Sequence, residues 1–200
     1  MNQPFSQACE NNKTPVFDVL KQYLAGDEYI LEIGSGTGQH ARYFADNLPN
    51  ILWQTSDLQA NHSGIEAWIK DCEHKNIASP LNLNVADKET WPDFRYDAIF
   101  TANTMHIMSW QEVTVMFNLV AACLKEKGVF FSYGPFNRDG KFTSASNEAF
   151  DYSLRWQDSK MGIRDLNDIQ KEAEQNQMAL SQIHAMPANN MLLVFTKDKP

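Results

Sequence analysis

Apolar positions along the chain group into short runs and helical stripes that alternate with one another. Residues 29–33 are mostly apolar and stop at Gly34, as a buried strand does, and Ala41, Phe44, Ala45 and Leu48 then recur at helical spacing until Pro49. A second strand is predicted over 51–56, ending at Asp57. Leu81 and Leu83 mark a brief third, and residues 96–102 read as a fourth, buried on both faces. Ser63 with Glu66 and Ser109 with Glu112 are capping-box patterns. The first opens a stripe of Ile65, Trp68, Ile69 and Cys72; the second opens one of Val113, Met116, Phe117, Val120 and Leu124. Gly128 closes that helix before a strand over 129–133. Upstream, Thr14-Pro15 predicts a helix start, with Thr14 as cap and Pro15 in the first turn.

The tail has a different pattern. Residues 136–146 are polar and irregular, too long for an ordinary connection, and read as a functional loop or flap. Phe150, Leu154 and Trp156 predict a helix after it, and Leu166, Ile169 and Ala173 another. Strands over 180–186 and 191–196, joined by a short turn, permit an antiparallel pair. Alternating strands and helices imply an α/β fold, with an open, doubly wound, mostly parallel sheet covered on both faces. Ligands of such sheets bind beyond the carboxyl ends of the strands.

The chain has 200 residues, which predicts a single domain over 1–200. Its 25 acidic and 17 basic side chains give a net charge of −8. That argues against a general nucleic-acid or anionic-membrane surface, because binding phosphates requires Lys and Arg to displace counterions. Cys9, Cys72 and Cys123 are scattered and lack paired spacing, so neither a disulfide framework nor a metal site is indicated. A cytoplasmic setting is expected, since residues 1–10 lack the basic start and apolar stretch of a signal peptide.

The candidate chemistry begins at Glu32-Ile33-Gly34-Ser35-Gly36-Thr37-Gly38, between the first strand and its helix. Glycines there allow positive φ and close backbone approach to a ligand, and the helix N-terminus favours a negative group. A P-loop would need Lys then Ser or Thr after its last glycine. A dinucleotide fingerprint would need glycine where Gln39 stands. Glu32 is placed to meet the positive end of an amino-acid-like ligand. Asp57 ends the second strand, 19 residues beyond Gly38, where an acid accepts from both hydroxyls of a ribose; the alternative is a turn or capping aspartate. Asp87 is placed to accept from an adenine amino group while Val85 or Ala86 supplies a wall; the alternative is a loop aspartate capping Lys88 onward. The cofactor-facing set is therefore Glu32, Gly34, Ser35, Gly36, Gly38, Asp57, Leu58, Val85, Ala86 and Asp87, with Asn103 from the next crevice loop.

These residues resemble a class I S-adenosylmethionine-dependent methyltransferase. More closely, the chain resembles the methyltransferase-like protein twenty-six family, through Trp53-Gln54-Thr55-Ser56-Asp57, Asn103-Thr104-Met105-His106, Gly134-Pro135-Phe136, Gly162-Ile163-Arg164-Asp165-Leu166 and Met186-Pro187-Ala188-Asn189-Asn190. The resemblance implies a Rossmann-like sheet of seven strands in the order 3-2-1-4-5-7-6 with strand seven antiparallel. It also implies S-adenosyl-L-methionine as cofactor, with contacts at Glu32, Gly34, Gly36, Asp57 and Asp87.

Methyl transfer from a sulfonium is an in-line displacement, so the protein mainly aligns the partners and excludes water. His106 is the expected base, since an imidazole takes a proton near neutral pH, with a helix-leading, locally bonded histidine as the alternative. Asn103 is placed against the cofactor or the acceptor. Tyr133, Phe136 and Asn137 end the fifth strand and are expected to line an acceptor pocket, with Asn12 near it. Residues 1–14 are expected to cover the cofactor, and an insertion at about 134–160 to act as a lid. The other histidines read as surface or satisfied residues. The expected function is methyl transfer to a small-molecule acceptor. The rivals are a non-catalytic cofactor-binding regulator and, opposed by Gln39, an NAD-dependent oxidoreductase.

Overall fold

The computed structural model describes residues 3–197; residues 1–2 and 198–200 of the expected domain lie outside the described residues. In chain order the elements are α1 (Gln7–Leu20), β1 (Tyr29–Ile33), α2 (Gln39–Asn47), β2 (Leu52–Asp57), α3 (His62–Ile69), β3 (Ile77–Asn82), β4 (Tyr96–Ala102), α4 (Trp110–Cys123), β5 (Leu124–Gly134), β6 (Phe136–Asn137), α5 (Ala145–Gln157), β7 (Arg164–Asp165), α6 (Leu166–Gln175), β8 (Met178–Met186) and β9 (Asn190–Lys197). A seven-stranded sheet runs β3-β2-β1-β4-β5-β9-β8, with the β5–β9 and β8–β9 pairs antiparallel and the rest parallel. Counted within this sheet alone, that is the expected order. The short strands β6 and β7 pair separately.

Two apolar layers cover the sheet. Leu31, Ile33, Ile99 and Phe130 point to one face, where Val113, Met116 and Phe117 of α4 and Ile169 of α6 cover them. Ile30, Phe100 and Phe131 point to the other, against Val16 and Leu20 of α1 and Phe44 of α2. Successive strand residues face opposite sides, so strands covered on both faces read as unbroken apolar runs.

Several element boundaries differ from expectation. Helix α1 starts at Gln7, not after Thr14: Ser6 caps it by accepting from the Cys9 N–H at 3.3 Å, and Pro15 lies inside. Proline deprives the carbonyl of Asn11 of its helical donor, but Asn11 is exposed. Ser63 does not cap α3, because the 3-10 turn Gln59–Asn61 runs directly into that helix and supplies its entry. Strand β3 is longer than read, and as an edge strand it tolerates Pro80. Helix α4 ends at Cys123, so Leu124 opens β5 rather than closing the helical stripe. The Ser109–Glu112 capping box forms with both of its bonds. Trp156 lies on α5 but is 92% exposed, outside the packed face. Among the described residues, no helix is long and apolar enough to cross a membrane.

Candidate functional site

A cavity of about 580 Å³ opens at the carboxyl ends of β1, β4 and β5. Gly34, Ser35 and Gly36 form one wall, Asn103 and His106 another, and Tyr133 a third. His40 of α2 and three distant segments add to it: Cys9 and Asn12 of α1, Asn147 and Phe150 of α5, and the turn Pro187–Asn190 between β8 and β9. Of the residues singled out in the sequence, the cavity therefore gathers Asn12, Gly34, Ser35, Gly36, Asn103, His106 and Tyr133.

The glycine turn is tied to β2. The N–H groups of Gly34 and Ser35 donate to the Ser56 carbonyl at 3.1 and 2.9 Å, and the Gly36 N–H donates to Asp57 Oδ2 at 2.8 Å. Asp57 Oδ1 accepts from the Leu58 N–H and from Asn61 Nδ2. Gly34 (φ +73) could not carry a side chain, because a Cβ there would lie 2.9 Å from Thr104 Cγ2. At Gly36 (φ +57) a Cβ would meet only open space, so that backbone faces the cavity bare. Gly38 has a different reason: a Cβ would meet Ile65 Cα at 3.1 Å, so this glycine lets α2 and α3 pack closely.

Across the cavity, Asn103 follows β4 with φ +58 and donates its N–H to the Tyr133 carbonyl at 2.8 Å. Asparagine tolerates this left-handed conformation better than most residues. His106 is 6% exposed, with its ring edge-on to Phe150 at 5.2 Å. Burial, reinforced by the nearby Arg164 guanidinium, lowers its pKa to about 4, so the imidazole is neutral at pH 7. The segment carrying it is pinned from outside. Arg164 donates to the carbonyls of Met105, Met108 and Lys160, and the Gly162 N–H donates to the His106 carbonyl. The Gly-Ile-Arg-Asp-Leu block thus holds this loop in place. Tyr133 accepts from Asn190 Nδ2 at 3.0 Å, and burial raises its phenol pKa.

Other singled-out residues lie elsewhere. Glu32 is 1% exposed, beneath the turn rather than on the cavity wall, and accepts from Trp53 Nε1 at 3.0 Å. Burial raises its pKa to about 7 despite that bond. Phe136 is a buried core residue of the α4 face, not a pocket wall. Asn137 lines a separate cleft with Arg155 and Arg164; both depart from expectation because β6 turns away from the cavity to pair with β7. Asp87 caps the turn Lys88–Thr90 through the Glu89 N–H, the alternative weighed for it. Val85 is buried with the α4 face and its carbonyl accepts from Trp91 Nε1. Ala86 lines a shallow cleft beside Ile107, and Leu58 is exposed beyond Asp57.

Sequence reasoning missed Cys9, His40, Asn147 and Asn190. His40 Nε2 pairs with Asn12 Oδ1 at 2.5 Å, and its ring stacks on Phe44. It is a satisfied histidine, as read, but it also lines the cavity. The Met-Pro-Ala-Asn-Asn block was a usable signal for the β8–β9 turn. Nothing in the spacing marked His40.

The fold has many solved counterparts. An O-methyltransferase family protein from Burkholderia thailandensis is similar with a TM-score of 0.81 at 14% identity, over 94% of this chain and 56% of that one. An O-methyltransferase family 2 protein from Planctomyces limnophilus, solved in complex with apigenin, gives 0.80 at 12% identity over 95% and 57%. CalO1, a methyltransferase of calicheamicin biosynthesis solved with SAH bound, gives 0.73 at 8% over 92% and 53%. The chain thus spans about half the length of these structures, and at such identity the likeness establishes the fold. A family profile matches nearly the whole chain, residues 3–197, and on that match the chain belongs to the family described as "Protein of unknown function (DUF938)".

Proposed function

We propose that the chain is a class I methyltransferase that uses S-adenosyl-L-methionine on a small-molecule acceptor, within the methyltransferase-like protein twenty-six group of its sequence resemblance. The observation that carries this reading is the cavity where the bare Gly34–Gly36 backbone faces Asn103, His106 and Tyr133 across about 580 Å³. The residues present suit the cofactor. Open space at Gly36 and the Asp57 carboxylate beside it suit an adenosyl sugar, and the buried Glu32, its pKa raised to about 7, lies below the turn where a nearby ammonium group would favour its ionised form. When bound, the sulfonium would supply an already activated methyl group.

The chain's own residues then have simple tasks. His106, neutral at pH 7, accepts the proton that an acceptor hydroxyl loses as it attacks. Phe150, edge-on to that imidazole, offers an apolar face for a flat acceptor, and Asn103 and Tyr133 bound the reaction space. Residues 1–14, through Cys9 and Asn12, act as the cofactor-covering arm, and residues 134–160, through Asn147 and Phe150, as the lid. The unit is a single domain. That similar folds include proteins described as O-methyltransferases supports trying hydroxyl acceptors first.

The test is methyl transfer from labelled S-adenosylmethionine to a panel of phenols, catechols, amines and thiols. The expected result is label in at least one hydroxylated acceptor, lost in His106→Ala. Cofactor binding without transfer to any acceptor would favour a regulatory binding protein, and binding of NAD instead would favour an oxidoreductase.

A further inference from the structure

One wall of the cavity carries chemistry that methyl transfer does not require. Cys9 Sγ lies 4.0 Å from His40 Nδ1, and His40 Nε2 lies 2.5 Å from Asn12 Oδ1. An amide oxygen only accepts, so Nε2 carries the proton and Nδ1 turns its lone pair toward the thiol. The ring is fixed: it stacks on Phe44 at 5.3 Å and meets the edge of Phe100 at 6.0 Å. A nucleophile, a base and a residue orienting the base thus stand in sequence on a cavity wall, the arrangement that activates thiols and hydroxyls.

We propose that Cys9 is a covalent modification site, a nucleophilic thiol that takes soft carbon electrophiles entering the cavity, with His40 as its proton acceptor and Asn12 orienting the imidazole. With an alkyl halide, the S–C bond forms as the halide leaves with its bonding pair, and the thiol proton passes to His40 Nδ1 and on to solvent. With a conjugated carbonyl, sulfur adds to the β-carbon and the proton ends on the α-carbon. The adduct would occupy the cavity beside Gly34 and Gly36. This inference stands on the wall geometry alone and survives if the cofactor reading fails.

The surroundings explain why a base is needed. Burial, Glu32 from β1 and Glu10 from the same helix hold the proton on sulfur, while the hydroxyls of Ser6 and Thr37 pull the other way. Lys13 is turned onto Glu10 and the Tyr43 ring. Burial lowers the His40 pKa to about 4, which leaves it a free base from pH 5 upward. The remaining cysteines are internal controls. Cys72 is buried and bonded to Asp46 and Asn76, Cys123 is buried against the Pro92 carbonyl, and neither reaches the cavity.

The experiment is limited alkylation of the folded protein with iodoacetamide from pH 5 to 9, followed by peptide mass mapping of all three cysteines. The first label should fall on Cys9, with a rate that changes less than about threefold per pH unit below pH 8, whereas an unassisted thiol loses about tenfold per unit. His40→Phe keeps the aromatic stack and should restore the tenfold dependence. Asn12→Ala, a smaller change at a buried position that keeps the His40 ring on Phe44, should move the profile in the same direction and guards against misfolding of the first variant. Labelling of Cys72 or Cys123 ahead of Cys9, or an identical tenfold profile in wild type and both variants, would overturn the proposal.

Discussion

Replacing Asp57 with alanine probes both the turn and its proposed ligand. The carboxylate accepts from the Gly36 N–H at 2.8 Å, the Leu58 N–H at 2.7 Å and Asn61 Nδ2 at 2.8 Å. All three donors are at exposed positions, so water replaces the lost acceptor and the stability cost should be small, about 1 kcal/mol. The binding cost should be larger. If the same carboxylate accepts from two ribose hydroxyls, losing those charge-assisted bonds costs ~1.5–3 kcal/mol, a roughly 10- to 150-fold rise in Kd. Asp57→Asn separates the two effects: one oxygen still accepts from Leu58, while the amide nitrogen cannot accept from Gly36. Calorimetric titration with S-adenosylhomocysteine, alongside urea unfolding, reads both quantities. An unchanged Kd in Asp57→Ala would remove this residue from the site and refute the reasoning.

Three further perturbations follow from the geometry. Glu32 has its folded pKa raised from 4.5 to about 7, so the native state binds the extra proton and its contribution to stability falls as pH rises from about 5 to 7. Glu32→Gln should therefore be more stable than wild type at pH 8, by ~3 kcal/mol at most, with the gap closing near pH 5 in urea unfolding and cofactor affinity reduced. An equal gap at both pH values would refute the assignment. His106 has a lowered folded pKa, so its contribution to stability is full above pH 6.5 and is lost as pH falls toward 4. His106→Gln should flatten the acid limb of the stability profile and slow methyl transfer while sparing cofactor affinity; an unaltered acid limb or full turnover would count against it. Asn103 has φ +58, so Asn103→Gly should keep its thermal stability, while Asn103→Ala loses about 1 kcal/mol; equal melting of the two variants would contradict this.

Much of the fold was legible because two-sided burial leaves a plain mark. The runs at β1, β4 and β9 are apolar on successive residues, and Ser109 with Glu112 announces α4. The boundaries misread were those where one element feeds directly into the next. Pro15 looked like a first-turn residue because sequence alone does not show that Ser6 already caps the helix. Edge strand β3, half exposed and containing Pro80, lacked the apolar run of its neighbours. The cavity wall was legible where it follows strands in order, at Gly34–Gly36, Asn103, His106 and Tyr133, while Asp57 lies behind it, bonded to the Gly36 N–H. The cavity's remaining walls come from α1, His40 of α2, α5 and the β8–β9 turn, which meet only through tertiary packing. Phe136 and Asn137 were misplaced for the same reason: a strand end predicts a crevice residue only until the chain changes direction.

The central claim is most directly tested by crystals of the protein soaked with S-adenosylhomocysteine. The account predicts density in the cavity, with the ribose hydroxyls on Asp57, the chain of the ligand along Gly34–Gly36 and its sulfur open toward His106. Density bound at another surface, or a cavity still empty at saturating ligand, would contradict it.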